Sequence, residues 1–413
     1  MIDEYLLFVG IDWATEEHTI CILDRDQKIV EERAIKHSGT GLAQLEELLV
    51  KLNPGEPARV AVAIEVPRGA VVEYLVERGH VVYSLNPKQM DRFRDRHSVA
   101  GAKDDRRDAF VMADALRTDL KLFHKVQLDH PLIIRIRELS RAEDALQQDK
   151  VRATNQVREL LIRYYPQALK LCPELDEPWF WDLLEEVPLP SKKLSRAKIT
   201  AILKSNRIRR LDAEAVIRAL SEPALQLAPG ATEAISERVL LALPHLRLLH
   251  KQRMEIGHRI DAVLKEIGTE GKFDGHRDVH ILRSLPGVGR TVSATMLAEA
   301  SQLLLERDYH ALRTYGGTAP ITRQSGKHSS VIMRRSCSNR LRDAIYNWSR
   351  VSTQWDPRSK EQYAELRAKG KTHGRALRGV ADRLLAVLVA MLKSGKEYDP
   401  ALRSVKLLAA PTA

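Results

Sequence analysis

Two acidic residues follow the two most apolar short runs in the first part of the sequence. Asp12 ends the run Phe8–Ile11, and Glu65 follows Val60–Ile64. A carboxylate at the end of an apolar strand is costly unless it meets solvent, a hydrogen-bond donor or a cation. Taken singly, each acid is expected to mark the place where a strand reaches water.

A third acidic motif lies at the predicted start of a helix, in the segment 103–109. Asp105 and Asp108 are three residues apart and therefore share one helix face, and Asp104 stands beside them. Acids in a first helical turn also suit the helix dipole, so a capping role is the plain alternative. Four carboxylates in one cluster would form the hard oxygen site that Mg²⁺ uses to bridge a phosphodiester. We expect Asp12, Glu65, Asp105 and Asp108 to form such a cluster.

The second group of candidate residues lies near the carboxyl end. Leu285–Gly289 precedes a predicted helix and is typical of a helix-hairpin-helix element, in which Gly287 and Gly289 would let backbone N–H groups approach a phosphate. Further on, Ser325 stands before a glycine in a predicted exposed loop. Spacing alone favours an ordinary loop serine over a nucleophile. The surrounding segment, 321–350, has seven Lys or Arg residues and one acid.

The composition indicates a polyanionic partner. The chain has 413 residues, which suggests two or three domains, and its charge sum is 66 − 55 = +11. Nucleic acid is the first expectation and an acidic membrane surface the second. Three scattered cysteines argue against a disulfide framework or a cysteine zinc site. The apolar run Leu384–Leu392 is too short to span a bilayer, so we expect a cytoplasmic protein without membrane association.

Hydrophobic patterning predicts three parts. Residues 1–125 read as β-β-β-α-β-α-β followed by a helix from 104 to 117, which is a mixed α/β domain. Residues 126–273 contain two long amphipathic helices, 132–164 and 232–267, separated by an irregular stretch at 166–190. The first of these helices could form a coiled-coil arm. Residues 274–413 read as a smaller, mostly helical domain with a loop-rich basic segment.

With these motifs in order, the sequence resembles the IS110-family transposases. The four acids, with Gly10-Ile11-Asp12 and the helix start at 103–109, look like the DEDD amino-terminal domain of that family. Leu-Pro-Gly-Val-Gly, Gly-Thr-Ala-Pro and Gln-Ser-Gly look like its second domain. The resemblance covers residues 6–118 and about 278–350, and the middle region matches only in being helical.

The resemblance implies a RuvC-like, ribonuclease-H-type domain whose four acids bind Mg²⁺. It also implies that Ser325 attacks a DNA phosphate and holds the strand as a covalent phosphoserine. Donor and target DNA, a structured guide RNA and a homo-oligomer (dimer or tetramer) with sites shared between subunits are the implied partners. The expected nucleic-acid-binding residues are Gly287, Gly289, Arg323, Lys327, Arg334, Arg335, Arg340 and Arg342.

Several alternatives stay open at this point. The segment 334–338 lacks the glycine found in many relatives, Ser329 and Ser330 lie near Ser325, and only the i, i+3 spacing favours Asp105 over Asp104. A junction-resolving nuclease would need the acids but not the serine. A DNA invertase of the same family, an actin-like ATPase and a non-catalytic DNA-binding protein are further readings. The ATPase would need a second glycine-rich phosphate loop, and none is found in the first 120 residues.

Overall fold

A computed structural model describes residues 4–85, 87–97, 104–190, 194–273, 275–325 and 328–400. Contacts divide the chain once, into Met1–Asp129 and His130–Ala413. The domain bounds at 125 and 273 stay predictions. The two units are described separately below.

The amino-terminal unit is built on a six-stranded sheet. The sheet order is β3-β2-β1-β4-β5-β6, with β1, β4 and β5 parallel and the other pairs antiparallel. This confirms the mixed α/β domain predicted from the order of strands and helices. The strands are β1 Leu7–Asp12, β2 Glu17–Leu23, β3 Ile29–Lys36, β4 Val60–Ile64, β5 Val81–Ser84 and β6 His124–Lys125.

Both faces of this sheet are covered by helices. Successive side chains of β1 point to opposite faces, so Val9 and Ile11 pack on one side while Phe8 packs on the other. The strand therefore reads as a continuous apolar run, as expected for a central buried strand. The helices are α1 Gly39–Leu52, α2 Ala70–Glu77, α3 Pro87–His97 and α4 Asp105–Asp119. Sequence reasoning missed α3 and the short strand β6.

Helix α4 lies directly against β1 at Gly10. A Cβ atom built on Gly10 would stand 1.9 Å from the carbonyl oxygen of Ala109, which no real side chain could tolerate. Glycine at this position allows the helix backbone and the strand backbone to approach closely. The contact places the first turns of α4 beside the strand that ends at Asp12.

The second unit is mostly helical, with a two-stranded hairpin. Its elements are α5 Pro131–Tyr164, α6 Pro178–Glu186, α7 Arg196–Ser205, α8 Ala213–Leu220, α9 Ala231–Ile267, α10 His276–Ser284, α11 Arg290–Leu305, α12 Tyr309–Tyr315, β7 Ile321–Ser325, β8 His328–Ile332, α13 Asn339–Trp355, α14 Pro357–Ala368 and α15 His373–Ser394. The two long helices are confirmed within a residue at each end, whereas the coiled-coil assignment stays a prediction.

Helices α5 and α9 pack along each other and contribute to two separate hydrophobic cores. One core contains the middle of the chain, including the buried Trp179 and Trp181 of α6. The expectation of an irregular stretch at 166–190 is therefore wrong for 178–186. Proline at the first turn of α6 made the segment look like a loop, although proline suits the start of a helix.

The other core packs α10, α11, α13 and α15 around Trp348, which is fully buried. The basic segment near 321–350, expected to be rich in loops, consists of the hairpin β7–β8 and the long helix α13. Among the described residues, no helix is long and apolar enough to cross a membrane.

Replacing Gly10 by alanine should destabilise the amino-terminal unit by about 2 kcal/mol or more, because α4 must move away from β1. Urea unfolding followed by circular dichroism measures the loss. Gly39→Ala is the matched control, because a Cβ there would meet nothing within 4 Å and Gly39 is the first residue of a helix. Equal stability of the two variants would contradict the close packing at Gly10.

Candidate functional site

Asp12 and Glu65 lie at the carboxyl ends of two adjacent strands of the sheet. Strands β1 and β4 are parallel, and Ile11 is in register with Ile64. The next residue on each chain is the acid, so the two acids follow neighbouring strands whose backbones are about 4.8 Å apart. Both side chains are partly buried. This is the pairing that the strand-end positions predicted.

The three aspartates at the start of α4 differ in their contacts and in their burial. Asp104 is the N-cap residue, and its carboxylate accepts a hydrogen bond of 3.2 Å from the backbone N–H of Arg106. Asp105 is exposed in the first turn, whereas Asp108 is only 2% exposed. The capping bond gives Asp104 a structural task and leaves Asp105 available, in agreement with the spacing argument.

Asp108 is held by an arginine that sequence reasoning missed. Arg94 of α3 donates to both carboxylate oxygens of Asp108, at 2.6 Å from Nε and 2.9 Å from Nη2. It also pairs with Asp91 at 2.8 Å. The hydrogen bond to Asp108 is the main reason that the pKa of Arg94 is raised, and the charges of Asp91 and Glu65 add to it. Arg94 therefore interacts electrostatically with Asp108 and Glu65, two of the four acids predicted to bind the metal.

The spacing of buried residues in α3 could have revealed Arg94. Met90 and Phe93 are buried and three residues apart, so they define the face of α3 that packs on the unit. Arg94 stands four residues after Met90 and is carried toward the same face. The polar composition of the segment hid this pattern.

A pair of histidines orders the turn that follows Asp12. His18 is fully buried, and its Nδ1 accepts a hydrogen bond of 3.3 Å from the backbone N–H of Ala14. Burial, and then the neighbouring His37, lower the pKa of His18, so its ring is neutral near pH 7. With Nδ1 as acceptor, Nε2 carries the proton and donates to Nδ1 of His37 at 2.9 Å. Trp13, 41% exposed, stacks on His18.

The donor chemistry of the four acids fits a hard divalent cation, because carboxylate oxygens at strand ends are the ligands that such ions prefer. Their side chains are not gathered at ligand distance. Across the described ranges, the one group of three candidate ligand atoms within 4.8 Å of each other is Cys172, Asp176 and Glu177. Because Arg94 takes both oxygens of Asp108, binding a shared ion would require this carboxylate to exchange partners.

The Cys172 group is a structural network. Both carboxylate oxygens of Glu177 accept hydrogen bonds from Arg210, at 2.6 and 3.0 Å, and the indole of Trp179 donates to it at 2.8 Å. Burial raises the pKa of the Cys172 thiol, which keeps it protonated. These bonds fasten the start of α6 to the segment between α7 and α8.

In the second unit, the backbone of Ser325 lies at the end of β7, opposite His328. Ser325 is therefore the last residue of a strand, rather than part of a long loop. Its side chain, and all of Lys327, lie outside the described residues. Arg323 on β7 is exposed, and its backbone is in register with Ser330 of the partner strand.

The two glycines of the turn before α11 differ in their surroundings. Gly287 has φ +80°, and a Cβ there would stand 2.8 Å from the Oγ of Ser352. The carbonyl of Pro286 accepts hydrogen bonds from Trp348 and Ser352, at 2.9 and 2.7 Å. Gly289 is exposed, and a Cβ added there would meet nothing within 4 Å. Only Gly289 has space for an approaching phosphate.

The expected nucleic-acid-binding arginines differ in their contacts. Arg335 is exposed, and Arg334 donates to the carbonyl of Ala319 at 3.4 Å. Arg342 pairs with the adjacent Asp343 at 3.0 Å. Arg340 is fully engaged within the protein: it pairs with Asp144 at 2.7 Å and with Glu299, and it donates to Ser140. These bonds tie α13 to α5 and α11.

Comparison with known proteins gives a consistent result over both units. A DEDD model of IS110 elements, described as a transposase, matches residues 9–166. A second model, described as transposase of the IS116/IS110/IS902 family, matches residues 279–364. The first match contains the four acids and the second contains Ser325.

Relatives extend the similarity to nearly the whole chain. The protein named as transposase of the IS117 mini-circle of Streptomyces coelicolor is 32% identical over 408 residues, which cover 96% of each chain. A protein of insertion element IS900 of Mycobacterium paratuberculosis is 24% identical over 96% of this chain and 98% of its own. The y4uE protein of Sinorhizobium fredii, named as a transposase, is 44% identical, but the match spans 64% of its length and 55% of this chain.

Replacing Arg94 by methionine should destabilise the protein by about 1–3 kcal/mol, because it leaves the buried Asp108 carboxylate without its charged partner. Chemical unfolding of the purified protein measures the change. Arg92→Met removes an equal charge from an exposed position on the same helix and should cost little. A similar loss in both variants would indicate that the Arg94–Asp108 pair contributes nothing specific.

Proposed function

Because this chain belongs to the IS110 family of DNA transposases, we propose that it cuts and rejoins DNA with Ser325 as the nucleophile. The observation that carries the proposal is the placement of Asp12 and Glu65 on neighbouring strand ends, beside the helix that bears Asp108. Within a ribonuclease-H-like sheet, acids at this edge serve phosphodiester chemistry through a divalent metal.

We assign Asp12, Glu65, Asp105 and Asp108 as the residues that hold the metal, and Mg²⁺ as the ion. When bound, the ion supplies positive charge to the phosphate oxygens. The close contact at Gly10 fixes where Asp108 stands relative to β1, and the hydrogen bonds around His18 hold the backbone just after Asp12. Asp105 is at the exposed end of the group, where it can meet the substrate.

The serine step exchanges one phosphoester for another. The Oγ of Ser325 forms a bond to phosphorus, the bond from phosphorus to a deoxyribose oxygen breaks, and that oxygen takes up a proton as the serine proton leaves to solvent. The number of phosphoester bonds is unchanged, so a second strand's hydroxyl can reverse the step and seal the DNA without an energy source. The covalent phosphoserine keeps the cut strand in a phosphoester, whereas a nuclease would lose that phosphoester by hydrolysis.

The position of Ser325 at the tip of a hairpin supports this role. Ser325 is the last residue of β7, and the exposed Arg323 stands two residues away on the same strand. We include Gly289, Arg323, Lys327, Arg334, Arg335 and Arg342 in the nucleic-acid-binding set. Gly287 and Arg340 are left out, because their contacts are internal and hold helices together.

We further propose that a structured RNA guides the enzyme and that it acts as a homo-oligomer. The net charge of +11 suits two polyanions bound at once. Leu241 and Leu248 of α9 are two turns apart on one face and are 79% and 50% exposed, which favours a contact with another copy.

Ser325→Ala should abolish both strand exchange and the covalent protein–DNA adduct, because no other group would hold the cut strand. The adduct is measured by denaturing gel electrophoresis with labelled DNA carrying the element's ends. Ser329→Ala and Ser330→Ala are matched controls on the facing strand and should retain the adduct.

The same assay separates the alternatives. A resolvase-type nuclease would still cut with Ser325→Ala, and this outcome would refute the serine assignment. Asp12→Asn should remove cutting and adduct together, by roughly 100-fold or more, while DNA binding persists. Unchanged activity of Asp12→Asn would instead favour a non-catalytic DNA-binding protein.

Purification of the protein from cells that carry its flanking DNA should yield one enriched, structured transcript. Sequencing of the bound RNA identifies this transcript. Because the protein binds the RNA largely through charge, binding should weaken steeply as the salt concentration rises. Recovery of only random cellular RNA would contradict guidance by an element-encoded RNA.

A further inference from the structure

A cavity of about 250 Å³ lies in the second unit at the base of the β7–β8 hairpin. One side is Gly316–Thr318, directly after α12, and another is Met333, the residue that follows β8. Helices α13 and α15 complete it with Tyr346 and Arg378. Arg342, which belongs to the proposed nucleic-acid-binding set, and its ion-pair partner Asp343 also line the cavity.

The cavity wall at Gly316 and Gly317 consists of backbone atoms, because neither residue has a side chain. A Cβ on Gly316 would stand 2.5 Å from Ile345, and one on Gly317, where φ is +71°, would stand 2.9 Å from Cys337. No other residue fits at either position without movement. The cavity therefore has a rigid backbone wall, and Tyr346 is among the residues that line it.

Arg378 differs in its contacts from two other partly buried arginines of this unit. Arg307 pairs with Asp278, and Arg313 pairs with Asp382. Within the described ranges, Arg378 makes no ion pair, and its Nη1 lies 3.5 Å from the sulfur of Met333.

The acid among the cavity's lining residues, Asp343, pairs with Arg342 at 3.0 Å and not with Arg378. Burial, followed by the repulsion of Arg375, lowers the pKa of Arg378. Tyr346 is the other titratable group that acts on it. A guanidinium that has lost water and gained no carboxylate is costly, and an anionic ligand would offset this cost.

We propose that this cavity binds one nucleotide of the DNA strand that is cut, with its phosphate on Arg378 and its base against Tyr346. A guanidinium matches a phosphate through two parallel hydrogen bonds. An aromatic ring offers a stacking surface to any base, which suits a site without sequence preference. The cavity can receive a single nucleotide, so the strand must be unpaired there.

The hairpin connects this cavity to the proposed nucleophile. Ile332, next to Met333, is in register with Ile321 at one end of the hairpin, and Ser325 lies four residues further along. Four strand residues span roughly 13 Å. The bound nucleotide would therefore lie about that far from the phosphate that Ser325 attacks. This step rests on the proposed function, whereas the binding site itself does not.

The test compares Arg378→Met with Arg375→Met in the full-length protein. Arg375 lies one turn earlier on α15 and is exposed, so both variants lose one charge. The probe is a fluorescein-labelled single strand of twenty thymidines, and fluorescence anisotropy measures Kd. We expect Arg378→Met to weaken binding roughly 10- to 100-fold, and Arg375→Met less than about threefold.

A second variant tests the aromatic wall. Tyr346→Leu keeps the charge and should weaken binding to the same probe by about fivefold or more, whereas binding to a strand of abasic sites should be unchanged. Thermal unfolding of each variant confirms that it is folded. Equal effects of Arg378→Met and Arg375→Met, or an unchanged Kd for Tyr346→Leu, would overturn the proposal.

The nature of the ligand and the serine chemistry are tested separately. A strand of twenty uridines that binds more tightly, with the same dependence on Arg378, would assign the cavity to RNA and overturn the DNA assignment. The covalent adduct is measured in parallel. Failure of the serine proposal appears as an adduct with Ser325→Ala, and failure of the cavity proposal appears as an unchanged Kd with Arg378→Met.

Discussion

The close contact of α4 with β1 at Gly10 is the constraint on which the candidate metal site depends. Two strand-end acids are fixed by the hydrogen bonding of the sheet, but Asp108 comes from a helix more than 40 residues later than Glu65. Backbone-to-backbone packing at Gly10 holds this helix beside the strand that ends at Asp12. A side chain of any size at Gly10 would separate the two elements.

Charge compensation is the second organising feature. Asp108 is buried and meets Arg94, and in the other unit Asp278, Asp382 and Glu299 each meet an arginine. Buried charges are tolerated when they are paired and hydrogen-bonded. The partly buried Arg378 has no carboxylate partner among the described residues and lines a cavity, and these two observations together are the basis for the nucleotide site proposed at the hairpin.

Local sequence predicted the elements that carry the site because their patterns are strong. Val60–Ile64 is uniformly apolar, and the first long helix repeats its apolar residues over more than eight turns, so both were placed within a residue or two. The pattern failed where polar residues dominate, as in α3, and where proline and tryptophan mimic a loop, as in α6. In both helices a few buried side chains decide the structure, and their burial depends on distant partners.

The sequence by itself determined the residue types of the catalytic proposal, the succession of the first five strands along the chain and the family to which the chain belongs. These depend on local spacing and composition, which are present in the chain before it folds. The tertiary structure decided which acid caps a helix, that Arg94 holds Asp108, that Gly287 and Arg340 serve packing, and that Arg378 faces a cavity. Each of these is a contact between segments far apart in the chain, and no local pattern encodes which distant side chain will arrive beside another.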